Sequence, residues 1–174
     1  MDYFELIQGR RSIRAYRPRL VEEDKLTRIL EAARHAPSAG NLQAYVILVV
    51  RSPATKTALA KAALNQDFLA QAPVVLAFFA DQQRAAAKYH KRGVELYALQ
   101  DATIACAYAQ LAAAQLGLGS VWVGAFDDDA VKRVLKTQAG WRPVALLPIG
   151  YPAETPAPTS RRPLDELAKE ASKT

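Results

Sequence analysis

The chain has 174 residues, of which 51% are hydrophobic and 23% are charged, a composition typical of one globular domain and not of a disordered or fibrous protein. With 23 Lys and Arg against 17 Asp and Glu, the net charge of +6 favours anionic partners without choosing among nucleotides, nucleic acids and acidic surfaces. The only cysteine, Cys106, excludes an intramolecular disulfide and a thiolate metal cluster, and no stretch reaches the ~20 apolar residues that span a bilayer. We expect a single cytoplasmic domain over residues 1–174, with no membrane contact.

Hydrophobic periodicity predicts helices and strands along most of the chain. We expect helices over residues 2–8 and 22–34, a strand over 45–50, a helix over 56–63 and a strand over 74–80. A long helix over 94–116, closed by Gly117, precedes a strand over 120–125, a helix over 128–135 and a strand over 143–149. The chain after Gly150 is proline-rich and should be extended. Strands interleaved with helices indicate an α/β or α+β sandwich.

The long helix is rich in alanine and apolar on nearly every side. A helix of this kind must be buried all round, which in a short chain favours a central helix shared with a partner subunit over one inside a monomer. Asp101 lies within it and is the carboxylate most expected to be buried. A structural hydrogen bond is its favoured role, and an active-site contact is the alternative.

Two segments predict a phosphorylated cofactor. Five arginines fall within residues 10–19, where Arg10 and Ser12 could hold a phosphate and Arg14 a second acceptor, because guanidinium groups bind phosphate oxygens in bidentate fashion. Residues 37–43 form a loop of small and amide side chains, and Asn41 and Gln43 could recognise the edge of a heterocycle. The alternative for the first segment is an RNA-binding patch or a solvated surface, and Arg17 and Arg19 are expected to be surface charges.

The sequence gives little support for a phosphate-binding loop, a metal site or a catalytic set that uses histidine. There is no phosphate-binding loop of the Gly-x-x-x-x-Gly-Lys type, and His35 and His90, the only histidines, do not stand at metal-ligand spacing. The same scarcity of histidine leaves no Ser-His-Asp or Cys-His set. Asp127 and its two neighbours precede a helix and should cap it. If the chain is an enzyme, a cofactor carries its chemistry.

Five ordered motifs resemble the nitroreductase family of FMN-dependent oxidoreductases. The match runs from residue 2 to about residue 168, and each motif alone would be a weak signal. The motifs are Arg-Arg-Ser-Ile-Arg-Ala-Tyr from Arg10, Pro-Ser-Ala-Gly-Asn-Leu-Gln from Pro37, Gly-Leu-Gly-Ser from Gly117 with Trp-Val-Gly-Ala-Phe from Trp122, Pro-Val-Ala-Leu-Leu-Pro-Ile-Gly-Tyr-Pro from Pro143, and Ser-Arg-Arg-Pro-Leu from Ser160.

The resemblance implies an α+β fold, a three-layer α/β/α sandwich with a mixed central sheet and a long central helix, in an intertwined homodimer with FMN at the subunit interface. It also implies the cofactor contacts. The phosphate and pyrimidine side would be held by Arg10, Arg11, Ser12, Arg14, Arg161 and Arg162. The ring and ribityl chain would be contacted by Pro37, Ser38, Ala39, Gly40, Asn41 and Gln43 of the other subunit, and by Asn65, Gln66, Val123, Gly124 and Ala125, the last three offering backbone amides near N5.

The family's reaction is ping-pong: NADH or NADPH reduces FMN, and a nitroaromatic, quinone or similar small acceptor then reoxidises it. No metal, nucleic acid or obligatory side-chain acid or base is implied. Arg14 would stabilise the negative charge of the reduced ring. One departure is Gln43-Ala44-Tyr45, where the family often has Gln-Pro-Trp, and loss of the proline is expected to loosen the backbone. Alternatives are a specialised family member, such as a dehalogenase, a flavin-destroying enzyme or a dehydrogenating oxidase, and a basic nucleic-acid-binding module.

Overall fold

A computed structural model describes residues 2–171, which form one four-stranded sheet with helices on both faces. The strand order is β1-β2-β4-β3, with β1 (Tyr45–Val50), β2 (Val74–Asp81), β3 (Gly119–Ser120) and β4 (Trp141–Gly150). The helices are α1 (Tyr3–Gly9), α2 (Glu23–Arg34), α3 (Pro53–Ala62), α4 (Phe68–Gln71), α5 (Gln82–Arg92), α6 (Ala98–Gln115), α7 (Asp128–Leu135) and α8 (Leu164–Leu167), with a 3₁₀ turn at Ala39–Asn41 and a π-helical turn at Gly93–Tyr97.

The central strand β2 divides the core into two layers. Val75, Ala77 and Phe79 pack in a cluster with residues of α3, α4 and α7. Val74, Leu76 and Phe78 belong to a second cluster with residues of α2 and α6. Because successive side chains of a strand point to opposite faces, helices cover both sides of the sheet. The predicted three-layer α/β/α sandwich is confirmed.

The sheet is antiparallel, whereas a mixed sheet was expected. Its three strand pairings are all antiparallel, and among the described residues the one parallel contact is an isolated bridge between Ser12 and Ser120. Continuous apolar runs such as residues 74–80 are typical of parallel sheets because parallel strands are buried on both faces. Here two helical layers bury antiparallel strands in the same way, so the pattern does not reveal strand direction.

The strand predicted over residues 120–125 is much shorter than expected. Only Gly119–Ser120 pairs as a strand with β4, and the chain then touches β4 again through a bridge between Val123 and Leu146. The same register places Val121 opposite Pro148. Proline has no N–H to donate to the ladder, so regular pairing is interrupted there.

The long helix predicted over residues 94–116 begins later than expected. Residues 93–97 form a π-helical turn, α6 begins at Ala98, and α5, which was not predicted, lies before the turn. His90, at φ 48°, kinks the backbone within the last turn of α5. Gly93 lets the turn pack closely on α5, since a Cβ there would lie 2.4 Å from the Ala85 carbonyl oxygen. Helix α5 has only one buried residue, Ala85, so it lacks the apolar stripe that marks a helix in sequence.

The end of α6 matches the prediction. Gly117 has φ 74°, its N–H donates to Ala114 O at 3.0 Å, and the N–H of Leu118 donates to Ala113 O at 2.9 Å, which is a Schellman cap. The helix is covered on one side only: Ala102, Ala105 and Ala109 are among its buried residues. Its other side is exposed at Gln100, Thr103, Ala107 and Tyr108.

The proline-rich segment is extended, as predicted, but it is not a solvated tail where it leaves β4. Tyr16 and Pro152 form a bridge, Arg17 N donates to Tyr151 O at 2.8 Å, and Ala153 N donates to Ala15 O at 2.9 Å. This segment therefore lies along the arginine-rich segment. Within residues 2–171, no helix combines the length and the apolar character needed to cross a membrane.

Candidate functional site

The arginine-rich segment leaves α1 and runs along the edge of the sheet. Ile13 N donates to Ser120 O at 3.0 Å, and the Tyr16 hydroxyl donates to Ile13 O at 2.7 Å. Ile13 and Tyr16 are buried, Ser12 is partly buried and Arg14 is exposed. The apolar residues anchor the segment in the core, so its polar residues are held at a fixed place on the surface.

Two further residues fix this segment, and sequence patterns did not single them out. Gly119 lies so close that a Cβ there would be 2.8 Å from three side-chain carbons of Ile13. The Glu154 carboxylate accepts the backbone N–H of Arg14 and, at 3.1 Å, that of Ala15. A lone glutamate in a proline-rich stretch carries no signal of this role in sequence.

Three guanidinium groups gather at the start of the segment. Burial lowers the pKa of Arg10, and the positive charges of Arg161 and Arg11 lower it further. Among residues 2–171, none of these three arginines forms an ion pair. Charges that repel one another and lack a carboxylate partner favour an anion between them, which fits the phosphate of FMN. Arg162 differs, because its Nε lies 3.1 Å from a Glu166 carboxylate oxygen.

Residues 37–44 form a tightly wound loop before β1. Gly40, Asn41 and Gln43 have φ of 55°, 57° and 44°. Glycine adopts such values readily, but residues with a side chain, such as Asn41 and Gln43, rarely do so outside functional sites and sharp turns. The Ser38 hydroxyl accepts Gln43 N at 3.0 Å, and the Gln43 amide donates to Asn41 Oδ1 at 2.7 Å. The amide groups predicted to recognise a heterocycle are thus engaged with one another inside the loop.

The interior side of this loop is held by Asp101 of α6. Asp101 is 2% exposed, and its carboxylate accepts the N–H of Ala39 at 2.9 Å and the N–H of Ala44 at 3.2 Å. The predicted burial and structural hydrogen bond are confirmed. The predicted loosening at Ala44 is wrong, because Ala44 is fully buried and donates a hydrogen bond that proline could not make.

Helix α5 covers the outer side of the loop. A Cβ on Gly40 would lie 2.3 Å from the Tyr89 hydroxyl and 2.7 Å from Lys88 Nζ, and the Arg84 guanidinium donates to Leu42 O. These contacts could not be anticipated, since α5 itself was not predicted.

A third predicted group joins residues 64–66 to residues 123–125. Leu64 and Asn65 have positive φ, and the Gln66 side chain donates to Ala63 O at 2.9 Å and to Ala125 O at 3.0 Å. Val123 is buried, and its N–H donates to Leu146 O at 3.0 Å. Any free backbone amide offered by this segment therefore comes from Gly124 or Ala125, which are exposed.

Within residues 2–171, the residues predicted to contact FMN lie in separate parts of one chain. A cavity of about 290 Å³ is lined by Arg10, Arg11, residues of β3 and Glu154, whose carboxylate accepts the backbone N–H groups of Arg14 and Ala15. A larger cavity of about 530 Å³ is lined by Pro37, Ser38 and Ala39 together with residues of α6. Neither of these two cavities is lined by members of both groups.

Comparison with known proteins identifies the family. A model of the family described as "Nitroreductase family" matches residues 7–66 and 60–151, so the chain belongs to the nitroreductase family. A Thermus thermophilus protein named NADH dehydrogenase is 38% identical, over 91% of this chain and 90% of its own length.

Solved structures agree with this assignment. A nitroreductase family protein from Streptococcus pneumoniae has a TM-score of 0.89 at 27% identity and covers 98% of this chain and 100% of its own. An FMN-dependent nitroreductase from Clostridium difficile has a TM-score of 0.78 at 28% identity, covering 90% and 91%. The nitroreductase fold expected from the motifs is confirmed.

Proposed function

We propose that this chain is an FMN-dependent NAD(P)H oxidoreductase that passes hydride equivalents to small acceptors such as nitroaromatics or quinones. The observation that carries the proposal is the group of three guanidiniums at Arg10, Arg11 and Arg161, none of which forms an ion pair among residues 2–171, within a chain that belongs to the nitroreductase family. The FMN-dependent and NADH-linked names of similar proteins support the same cofactor and electron donor. We also propose that the protein is cytoplasmic.

The phosphate end of FMN is assigned to the basic segment. Arg10, Arg11 and Arg161 supply the charge, and the Ser12 hydroxyl supplies a further donor. Arg14 is exposed beside them, so its guanidinium is free to reach further along the ligand. We assign it to the pyrimidine side of the ring, where a positive charge stabilises the reduced flavin. We leave Arg162 out of the phosphate site because it pairs with Glu166.

The ring end is assigned to the loop over residues 37–43 and to the group formed by Asn65, Gln66, Gly124 and Ala125. The loop and the basic segment line different cavities of one chain. A homodimer would resolve this separation, because the loop of one subunit could then face the basic segment of its partner.

The exposed apolar surface supports such a dimer. Tyr3 and Phe4 of α1 are 62% and 68% exposed, and Tyr108 of α6 is 41% exposed. Tyr3 and Tyr108 both line a shallow apolar cavity between α1 and α6. A second copy packed on this side would also cover the exposed side of α6, which is the shared central helix expected from its composition.

The protein's part in the reaction is to bind and orient FMN. When bound, FMN supplies the capacity to accept and donate a hydride. Asp101 is occupied by two backbone N–H groups and Cys106 is buried, so neither is available as an acid, a base or a nucleophile. The arginines hold the ligand and stabilise negative charge, and no side-chain proton transfer is required.

Comparing FMN with riboflavin tests the phosphate site directly. The wild-type protein should bind FMN more tightly than riboflavin, which lacks the phosphate. Each charge-assisted hydrogen bond contributes about 1.5–3 kcal/mol, or roughly 10- to 100-fold in affinity. Arg10→Ala and Arg161→Ala should each reduce the preference, while Arg28→Ala, at an exposed site on α2, should leave it unchanged. Equal affinity of the wild-type protein for the two ligands would rule out the assigned phosphate site.

A further inference from the structure

The loop over residues 37–44 contains backbone conformations that its side-chain-bearing residues do not favour. Asn41 and Gln43 carry side chains in the left-handed region, on either side of Leu42. Such conformations persist only where surrounding contacts enforce them. Two hydrogen bonds, from the Gln43 N–H to the Ser38 hydroxyl and from the Gln43 side-chain amide to Asn41 Oδ1, connect parts of the loop to one another but do not attach it to the rest of the protein.

Arg84 and the N–H of Asp81 attach the loop to α5 and β2 through the carbonyl oxygens of Leu42 and Ala44, and Asp101 attaches both of its ends to α6. Its two carboxylate oxygens accept the N–H groups of Ala39 and Ala44, at the two ends of the left-handed stretch. Among residues 2–171, Asp101 forms no ion pair with a lysine, arginine or histidine. A buried carboxylate is stable here because backbone N–H donors satisfy it, and such bonds to an ionised acceptor are stronger than neutral ones.

Ala44 supplies the backbone N–H that the second carboxylate oxygen of Asp101 accepts. A proline at this position would leave one carboxylate oxygen without this N–H donor. In this chain the alanine supplies the donor, so both oxygens of Asp101 have a partner. The aspartate and the alanine therefore act as a pair.

We propose that Asp101 is a positioning residue that clamps both ends of residues 39–44 and thereby presents the loop to the flavin. The inference deepens the proposed function and depends on it for the flavin contact. The clamp itself depends only on the two hydrogen bonds. Asp101 also lines the 530 Å³ cavity together with Pro37, Ser38 and Ala39, so a loss of the clamp would change the shape of this cavity.

The test uses Asp101→Asn, Ala44→Pro and the double variant in the full-length protein. An asparagine keeps one acceptor oxygen but turns an N–H donor towards one of the two backbone N–H groups. We expect FMN affinity of the single variant Asp101→Asn to fall at least tenfold, with KM for NAD(P)H changed more than kcat. Removing the N–H of residue 44 relieves the donor conflict, so Asp101→Asn with Ala44→Pro should recover a large part of the loss. Asp128→Asn, at an exposed site on α7, is the matched control and should bind FMN normally.

Amide hydrogen exchange of the flavin-free protein gives a second result that does not depend on activity or on the proline variant. In Asp101→Asn the segment over residues 37–44 should exchange faster, while β2 stays protected. If wild type binds FMN but Asp101→Asn binds it equally well, with an unchanged exchange pattern, the clamp is refuted and the proposed function survives. If wild type does not bind FMN, the proposed function fails, and the exchange experiment still decides whether Asp101 holds the loop.

Discussion

Replacing Gly119 by alanine tests whether the packing beneath the arginine-rich segment controls ligand binding. The new methyl would lie 2.8 Å from Cβ, Cγ1 and Cγ2 of Ile13, whereas carbon atoms pack best at about 3.5–4.0 Å. Ile13 is 7% exposed, so it cannot turn into solvent and must move by roughly 1 Å with the backbone that carries Ser12 and Arg14.

Overpacking of this kind costs about 1–3 kcal/mol. For a domain of this size, such a loss lowers the melting temperature by about 2–12 °C. Because Ser12 and Arg14 flank the displaced residue, FMN affinity should also fall, by roughly tenfold if about 1.4 kcal/mol of the binding free energy is lost. Riboflavin affinity should fall less, since the disturbance lies at the assigned phosphate end.

The assay is thermal unfolding of the flavin-free protein at one fixed protein concentration, together with FMN titration followed by flavin fluorescence. Gly9→Ala is the control, because a Cβ at Gly9 meets no atom within 4 Å and alanine suits a helix better than glycine. Its melting temperature should be equal to or above that of wild type. If Gly119→Ala melts at the wild-type temperature and binds FMN normally, the packing argument is wrong.

Three further predictions concern the surroundings of the site. Gly40→Ala should lower the melting temperature by about 2–8 °C, because a side chain at φ 55° costs about 1–2 kcal/mol, and Tyr89→Phe should restore part of the loss by removing the nearest atom. Burial raises the pKa of the Cys106 thiol, so a thiol reagent at pH 8 should label the native protein negligibly and the denatured protein fully; rapid native labelling would contradict this. Hydrogen bonding from Tyr151 and from Arg19 lowers the pKa of Glu22 from 4.5 to about 2, so its stabilising effect is present above pH 4.5 and is lost as the pH falls towards 2. Tyr151→Phe should therefore reduce the melting temperature at pH 7 but progressively less below pH 4.5, and a difference independent of pH would refute the assignment.

The sequence predicted the elements whose pattern is local. The strand Tyr45–Val50 and the helix Asp128–Leu135 have the predicted bounds, because a continuous apolar run and a capping aspartate each mark their own limits. Asp127 caps that helix by accepting the N–H of Ala130 at 2.7 Å, as expected. Family motifs added the fold and the candidate site, which periodicity alone did not provide.

What was missed depends on contacts between distant residues. The interruption at Val121 follows from Pro148 on the opposite strand, and the π-helical turn at Gly93 follows from its packing against α5. Glu154 holds the basic segment through bonds across 140 positions of sequence. No local pattern records such pairings, so the residues that position the candidate site were harder to predict than those assigned to contact the ligand.

The most direct test of the proposed function is the visible spectrum of the purified protein incubated with FMN, washed free of unbound flavin, and then mixed anaerobically with NADH or NADPH. We predict flavin absorbance that remains with the protein, is bleached by at least one of the two donors and returns when a quinone or nitroaromatic acceptor is added. Protein that stays colourless after incubation with FMN, or bound flavin that neither donor reduces, would contradict the proposed function.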